Sequence, residues 1–285
     1  MKFLPDKIGC ANGRYLVLYL LFFSLYTQAQ NLYDYQHSCK YAKHLKHTRQ
    51  YELASEEFER LLFMIPGNDT LKLELIHSYL LNAEYGKVTQ RTRELFYSTD
   101  SLNGNAAFMY TSALIMDGNF TNARFFLQQN NTLKASEKRF LQLNNYLLSF
   151  NWEPAKSAYT ELKESGDQIP VSYQKIINDI ENLREKSPAL AVGMSALVPG
   201  TGKIYTGEWK DGLVSLLFVG GSVFQSVRGY KIYGEKSAFF IAYTSLAATF
   251  YLSNLYGTLK SARRFNNKQK QNIHKRAEDA FINSF

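Results

Sequence analysis

From Ser237 to Thr258 the chain runs for 22 residues without one Asp, Glu, Lys or Arg. Coiled as a helix, a run of that length covers a hydrocarbon core about 30 Å thick. Gly212 to Val227 is also free of charge, and it approaches spanning length if counted from Asp211. A third apolar segment, Ala189 to Val198, is shorter, and Pro199 interrupts it. These runs are continuous and do not alternate, which argues against an outer-membrane barrel. They predict a helical membrane domain over residues 188–258.

The chain begins with Lys2, Lys7 and Arg14, continues with a twelve-residue apolar run from Tyr15 to Tyr26, and then offers Thr27-Gln28-Ala29. A basic start, an apolar middle and small residues at a cleavage site make up an export signal. Cleavage after Ala29 is expected, so residues 1–29 are read as a signal peptide and Cys10 leaves with it. Cys39 is then the one cysteine left, and a single cysteine cannot staple its own fold.

Between Gln30 and Ser187, glycine and proline are sparse and the apolar positions recur at helical spacing. Small residues recur as well: Ala54, Val88, Ala123 and Ala155 lie 34, 35 and 32 residues apart. Two antiparallel helices approach closely only where such a side chain sits at the crossing. Phe58, Tyr79, Phe120 and Trp152 are placed to fill the surrounding space. With this period and the Ala54-x3-Phe58, Gly118-x-Phe120-x2-Ala123 and Trp152-x2-Ala155-x3-Tyr159 spacings, the chain resembles tetratricopeptide-repeat proteins over about residues 35–185. The resemblance implies about four divergent helix pairs stacked as a solenoid that docks protein partners. Val88 stands where the family has alanine, and most of the helix-A tryptophan and glycine positions are changed.

Val198-Pro-Gly-Thr-Gly-Lys-Ile-Tyr-Thr-Gly207 invites comparison with a phosphate-binding loop. That loop needs Gly, four residues and then Gly-Lys-Ser/Thr between a strand and a helix. Here Leu197 replaces the first glycine and Ile204 the hydroxyl residue. The glycines are better read as a break in a membrane helix, which lipid tolerates only where protein or water satisfies the freed backbone. In this reading Pro199 and Gly200 end a short helix, Gly202 allows a turn or a close approach, and Gly207 restarts the chain. Gly220, Gly221 and Ser222, with Ala242, Ser245, Ala247 and Ala248, are expected to let two spans pack backbone to backbone. The run from Ser187 to Gly212 is similar to a bacterial membrane domain of unassigned function, in which Ser-Pro precedes an apolar helix and then Pro-Gly-x-Gly-x-x-Tyr-x-Gly. Ser187, Pro188, Pro199, Gly200, Gly202, Tyr205, Gly207 and Gly212 carry the match, and Lys203 stands where that family has glutamine. The resemblance covers about residues 187–265 and implies an architecture without an activity.

Charge bears on topology. Residues 30–187 hold 18 basic and 19 acidic side chains, whereas residues 257–285 hold seven and two. The segment 259–285 therefore reads as a basic tail. Basic residues beside a span favour the cytoplasm, which favours three crossings with Pro188 to Ile204 as an imperfect first span. Lys231 and Lys236 pull the other way. The tail lacks the patterns of a nucleic-acid binder, so its expected partner is membrane lipid.

Catalytic signatures are missing: no Gly-x-Ser-x-Gly, His-Glu-x-x-His or Cys-x-x-Cys occurs. His37, His44 and His47, with Cys39 nearby, have no second cluster to complete a metal site. Ser195, Ser215, Gln225 and Asn254 are the few polar groups inside the apolar half, and none is charged, which speaks against a proton-driven transporter. The expectation is an all-α protein, a tetratricopeptide-like solenoid (residues 30–187) followed by a small helical membrane domain. It would serve as a bacterial inner-membrane scaffold with its repeats outside the cytoplasm, docking protein partners, with no enzyme activity, cofactor, metal, nucleic acid or small-molecule substrate. The alternative is a component of a channel, transporter or insertion system.

Overall fold

A computed structural model describes residues 34–96, 98–99 and 102–285. The signal-like segment 1–29 and Cys10 lie outside the described residues. Within them the chain is all-helical, with thirteen helices and no strand. Contacts divide it into two compact units, one ending at Glu84 and one running from Tyr85 to Phe285. The boundary expected at residues 187 and 188 therefore falls inside the second unit.

The first unit holds α1 (Tyr35–His47), α2 (Tyr51–Met64) and α3 (Asp69–Leu81). Asp34 and Asn68 cap α1 and α3 by accepting from the amides of His37 and Leu71, which satisfies two of the amides a helix start leaves open. Ala42, Ala54, Phe58, Leu61, Leu75 and Ile76 are completely buried and form the core. At its edge the Lys46 ammonium donates to Glu74 (2.5 Å) and to His77 Nδ1 (2.9 Å).

The second unit opens with α4 (Tyr85–Leu95), α5 (Gly104–Met116), α6 (Phe120–Gln129), α7 (Ala135–Leu148), α8 (Trp152–Glu164) and α9 (Val171–Glu181). One local pattern recurs four times along the chain. Arg49, Ala83, Gly118 and Phe150 have φ of 61, 56, 75 and 58°. The next amide in each case reaches back to a carbonyl five residues earlier, as in Gln50 to Leu45 and Asn151 to Tyr146. A helix then starts on an aromatic residue, Tyr51, Tyr85, Phe120 or Trp152. Its fourth position holds Ala54, Val88, Ala123 or Ala155, each fully buried.

The rest of the second unit comprises α10 (Pro188–Leu197), α11 (Thr201–Tyr205), α12 (Trp209–Tyr233) and α13 (Ala238–Ile282). Three sequence expectations change here. The first apolar segment forms a helix of only 10 residues, about 15 Å long, which is half a bilayer core. The expected basic tail is the continuation of α13, a single helix of 45 residues. That continuation also docks on the repeat-like helices, because every fourth residue of Ile273, Ala277 and Phe281 is buried. There the Phe281 ring lies 6.1 Å from Phe140, the His274 ring stacks on Phe150 at 4.6 Å, and Arg276 pairs with Asp179.

Candidate functional site

The eight motif residues form one structure, in which α10 and α11 make a short hairpin against α12 and α13. Ser187 caps α10 by accepting from the Leu190 amide (3.3 Å), and Pro188 occupies its first turn, where a missing N–H does no harm. From there α10 runs antiparallel to α13. The Lys186 backbone N–H donates to Asn266 Oδ1 (2.8 Å) and its carbonyl accepts from Asn266 Nδ2 (2.9 Å), Ser195 Oγ pairs with Thr258 Oγ1 (2.9 Å), and the Tyr251 hydroxyl donates to the Ala196 carbonyl (2.9 Å).

Pro199 cannot continue α10, and Gly200 turns the chain with φ of 90°. The returning α11 ends in a two-bond cap: Glu208 N–H donates to Lys203 O (2.8 Å) and Gly207 N–H to Ile204 O (2.9 Å), with Gly207 at φ 88°. This is the Schellman arrangement, which favours glycine at the left-handed position. Gly202 and Gly212 serve a different need, close approach. A Cβ at Gly202 would lie 2.0 Å from the Ala191 carbonyl oxygen, and one at Gly212 would lie 2.7 Å from that of Gly200. Tyr205 is half-buried, with the Lys186 ammonium 4.5 Å from its ring centre.

The amides of this turn are committed internally. Thr201 donates to Val198, Lys203 and Ile204 to Gly200, and Gly202 to Ser195 Oγ. A phosphate loop presents such amides to its ligand, so the resemblance noted in the sequence does not extend to geometry. The Lys203 ammonium donates to Ser215 Oγ at 2.8 Å.

The hairpin of α12 and α13 turns its polarity inward. Ser222, Ser226, Gly229 and Ala247 are buried between the helices, and Ser226 bonds Thr244 (2.6 Å). Leu217, Phe224, Leu252 and Tyr256 point outward, each about two-thirds exposed or more (65, 67, 65 and 70%). Of the small residues expected at this contact, Ser222 and Ala247 are there. Gly220, Gly221, Ala242, Ser245 and Ala248 instead face outward. The contact follows the buried stripe Val219, Ser222, Ser226 and Gly229, which the adjacent glycines obscure in the sequence. Two apolar helices of this length could span a membrane.

Two of the polar groups noted in the sequence are buried in this hairpin. Asn254 is almost fully buried with neither amide atom partnered, and Gln225 Oε1 is buried without a partner. Among the described residues no three His, Cys, Asp or Glu side chains converge as metal ligands. The ring of His37, one of the candidate histidines, bonds Asp34. No family model, curated protein or solved structure matches the chain.

Proposed function

We propose that the chain is a membrane-anchored envelope scaffold whose tetratricopeptide-like repeats dock protein partners without catalysis. The observation that carries the anchor is the reversed polarity of the α12–α13 hairpin, with hydroxyl and small side chains inside and large apolar ones outside. Water disfavours that arrangement and hydrocarbon favours it. In this reading α12 and α13 cross the bilayer, and α10 with α11 dips into it from the repeat side and returns.

The docked end of α13 fixes the number of crossings in this reading. Residues 273–281 pack against α7 and α9, so those helices and the end of α13 share one compartment. Two crossings follow. The signal-like start, outside the described residues, supports an extracytoplasmic compartment for the repeats and an inner-membrane location. For partner docking, the support is the fourfold recurrence of turn, aromatic start and buried small residue, which is the periodicity of the repeat family.

Asn254 and Gln225 favour the alternative, a channel, transporter or insertion component. They are two uncharged groups in a hairpin whose other buried positions up to Thr258 are small, hydroxyl or apolar, which is thin lining for a path. Scaffolding remains the better-supported reading. The anchor is tested by alkaline extraction of membranes. The parent chain stays in the pellet, while a variant with Leu217, Phe224 and Leu252 all changed to Asp is lost from it, each Asp opposing insertion by about 3 kcal/mol. Release of the parent chain by alkali would refute the anchor.

A further inference from the structure

Where α13 would leave the bilayer, its basic residues gather into a groove. Lys260 follows two residues after Thr258, the end of the charge-free run. Lys260, Arg263, Arg264 and Lys268, with Asn267 and Gln271, line an open groove of about 460 Å³. Arg264, largely exposed, is 3.4 Å from the half-buried Glu208. Lys260, Arg263 and Lys268 make no ion pair among the described residues. From Lys260 to Arg264 the helix climbs about 6 Å, close to the thickness of one headgroup layer.

Neighbouring elements add to this level. The Lys210 ammonium lies 5.8 Å from the Trp209 ring centre, and Lys186 lies over Tyr205 and Phe265. Tyr256, just below, is largely exposed. Aromatic rings with cations above them mark the boundary between hydrocarbon and headgroups. With Lys203 against Gly257 and the Lys270–Glu185 pair included, eight cations meet three acids (Glu185, Glu208 and Asp211), a net of +5. At the other end of the hairpin Arg228, Lys231 and Lys236 meet Glu235, a net of +2.

Resting on the hairpin reading, we propose that this groove is a binding site for the phosphate of anionic phospholipid headgroups in the bilayer that holds the protein. Guanidinium and ammonium donors, together with two side-chain amides, match phosphate oxygens. The side chains stand on one helix, so only their own rotamers, and no backbone, have to be ordered on binding. The site would fix the height and tilt of α13, and through its docked end would hold the repeat-like helices at a set distance from the surface.

The test uses the full chain in nanodiscs of phosphatidylcholine mixed with phosphatidylglycerol, with native mass spectrometry of the lipid retained. The parent chain should retain phosphatidylglycerol in excess over its share of the bilayer. Changing Lys260, Arg263 and Lys268 together to Gln should cut that excess at least about tenfold, each charge being worth about fivefold. Changing Arg228, Lys231 and Lys236 to Gln should leave most of it. Equal retention by the parent and the first variant, or equal loss in both variants, would overturn the proposal. Displacement of the lipid by inorganic phosphate would reassign the groove to free phosphate and also overturn it. If the chain needs no bilayer or detergent to stay in solution, the hairpin reading falls and this one with it. If the chain is integral but shows no lipid preference, the groove reading alone falls.

Discussion

The helices of the first unit and the α12–α13 hairpin use the same residue types in opposite places. In the first unit Phe58, Leu61, Leu75 and Ile76 are hidden, while Lys46, Glu74 and Arg60 lie toward the surface. In the hairpin Ser222, Ser226, Ala247 and Asn254 are hidden, and Leu217, Phe224 and Leu252 are outside. The first arrangement is what burial from water selects. The second fits the proposed bilayer, where no such force acts between helices and close contact with hydroxyl pairs takes its place. In the proposed reading, one chain is thus written for two solvents.

Substitutions can break that contrast, and the largest effects should come from the water-facing core. Phe58→Ala should destabilise the first unit by about 3–5 kcal/mol, read as faster hydrogen exchange over residues 34–84 of the full chain. Leu217→Ala, in detergent, should change melting by less than about 1 kcal/mol, because its side chain packs against solvent molecules and not protein. Equal losses at the two sites would erase the distinction between the units.

Next comes the turn. Gly202→Ala forces a methyl group into the Ala191 carbonyl and should cost about 3 kcal/mol, read as loss of the folded species in detergent. Gly221→Ala meets open space. It should be neutral or stabilising by up to about 1 kcal/mol, since alanine is the better helix former. A tolerated Gly202→Ala would remove the close-approach role of that glycine.

The clasp between α13 and α9 is weaker in its charges. Arg276 and Asp179 are both partly exposed (53 and 37%), and a double-mutant cycle between them should return less than about 1 kcal/mol. Phe281, fully buried, should hold that end of the helix instead. A coupling well above 1 kcal/mol would move the weight of the clasp onto the ion pair.

The smallest effect is a pH dependence in the first unit. Burial, aided by the Lys46 ammonium, holds the His77 imidazole below its ordinary value of 6.5, against the opposing pull of Glu74. The unfolded chain then binds the extra proton more readily. Stability is complete above pH 6.5 and declines as pH falls below it toward the lowered value. His77→Gln should flatten that decline in unfolding curves, and an unchanged slope would assign it elsewhere.

The fold was legible where its cause was local. Charge-free runs announced α12 and α13, and Ala54, Val88, Ala123 and Ala155 announced the buried crossings. The turns before those helices were harder to see, because only Gly118 is a glycine, and Arg49, Ala83 and Phe150 take the same left-handed conformation at a strain of about 1 kcal/mol or more. The tail misled for a related reason. Its seven basic residues suggested a solvated segment, although Ile273, Ala277 and Phe281 already formed a helical stripe. What they meet could not be read, since His274 reaches Leu148 across 126 residues of sequence. The glycine turn could be recognised as architecture, but its pairings, Gly202 with Ala191 and Gly200 with Gly212, join elements that no local pattern connects.

The central claim is that the repeat-like helices and the end of α13 share one compartment while the α12–α13 connection lies across the membrane. Single cysteines at Lys134, Lys275 and Glu235, with Cys10 and Cys39 replaced, can be labelled with a membrane-impermeant reagent in intact and then lysed cells, any outer membrane being opened first. Lys134 and Lys275 should label together and Glu235 only in the opposite condition. Labelling of Lys134 and Lys275 from opposite sides would contradict the account and restore three crossings.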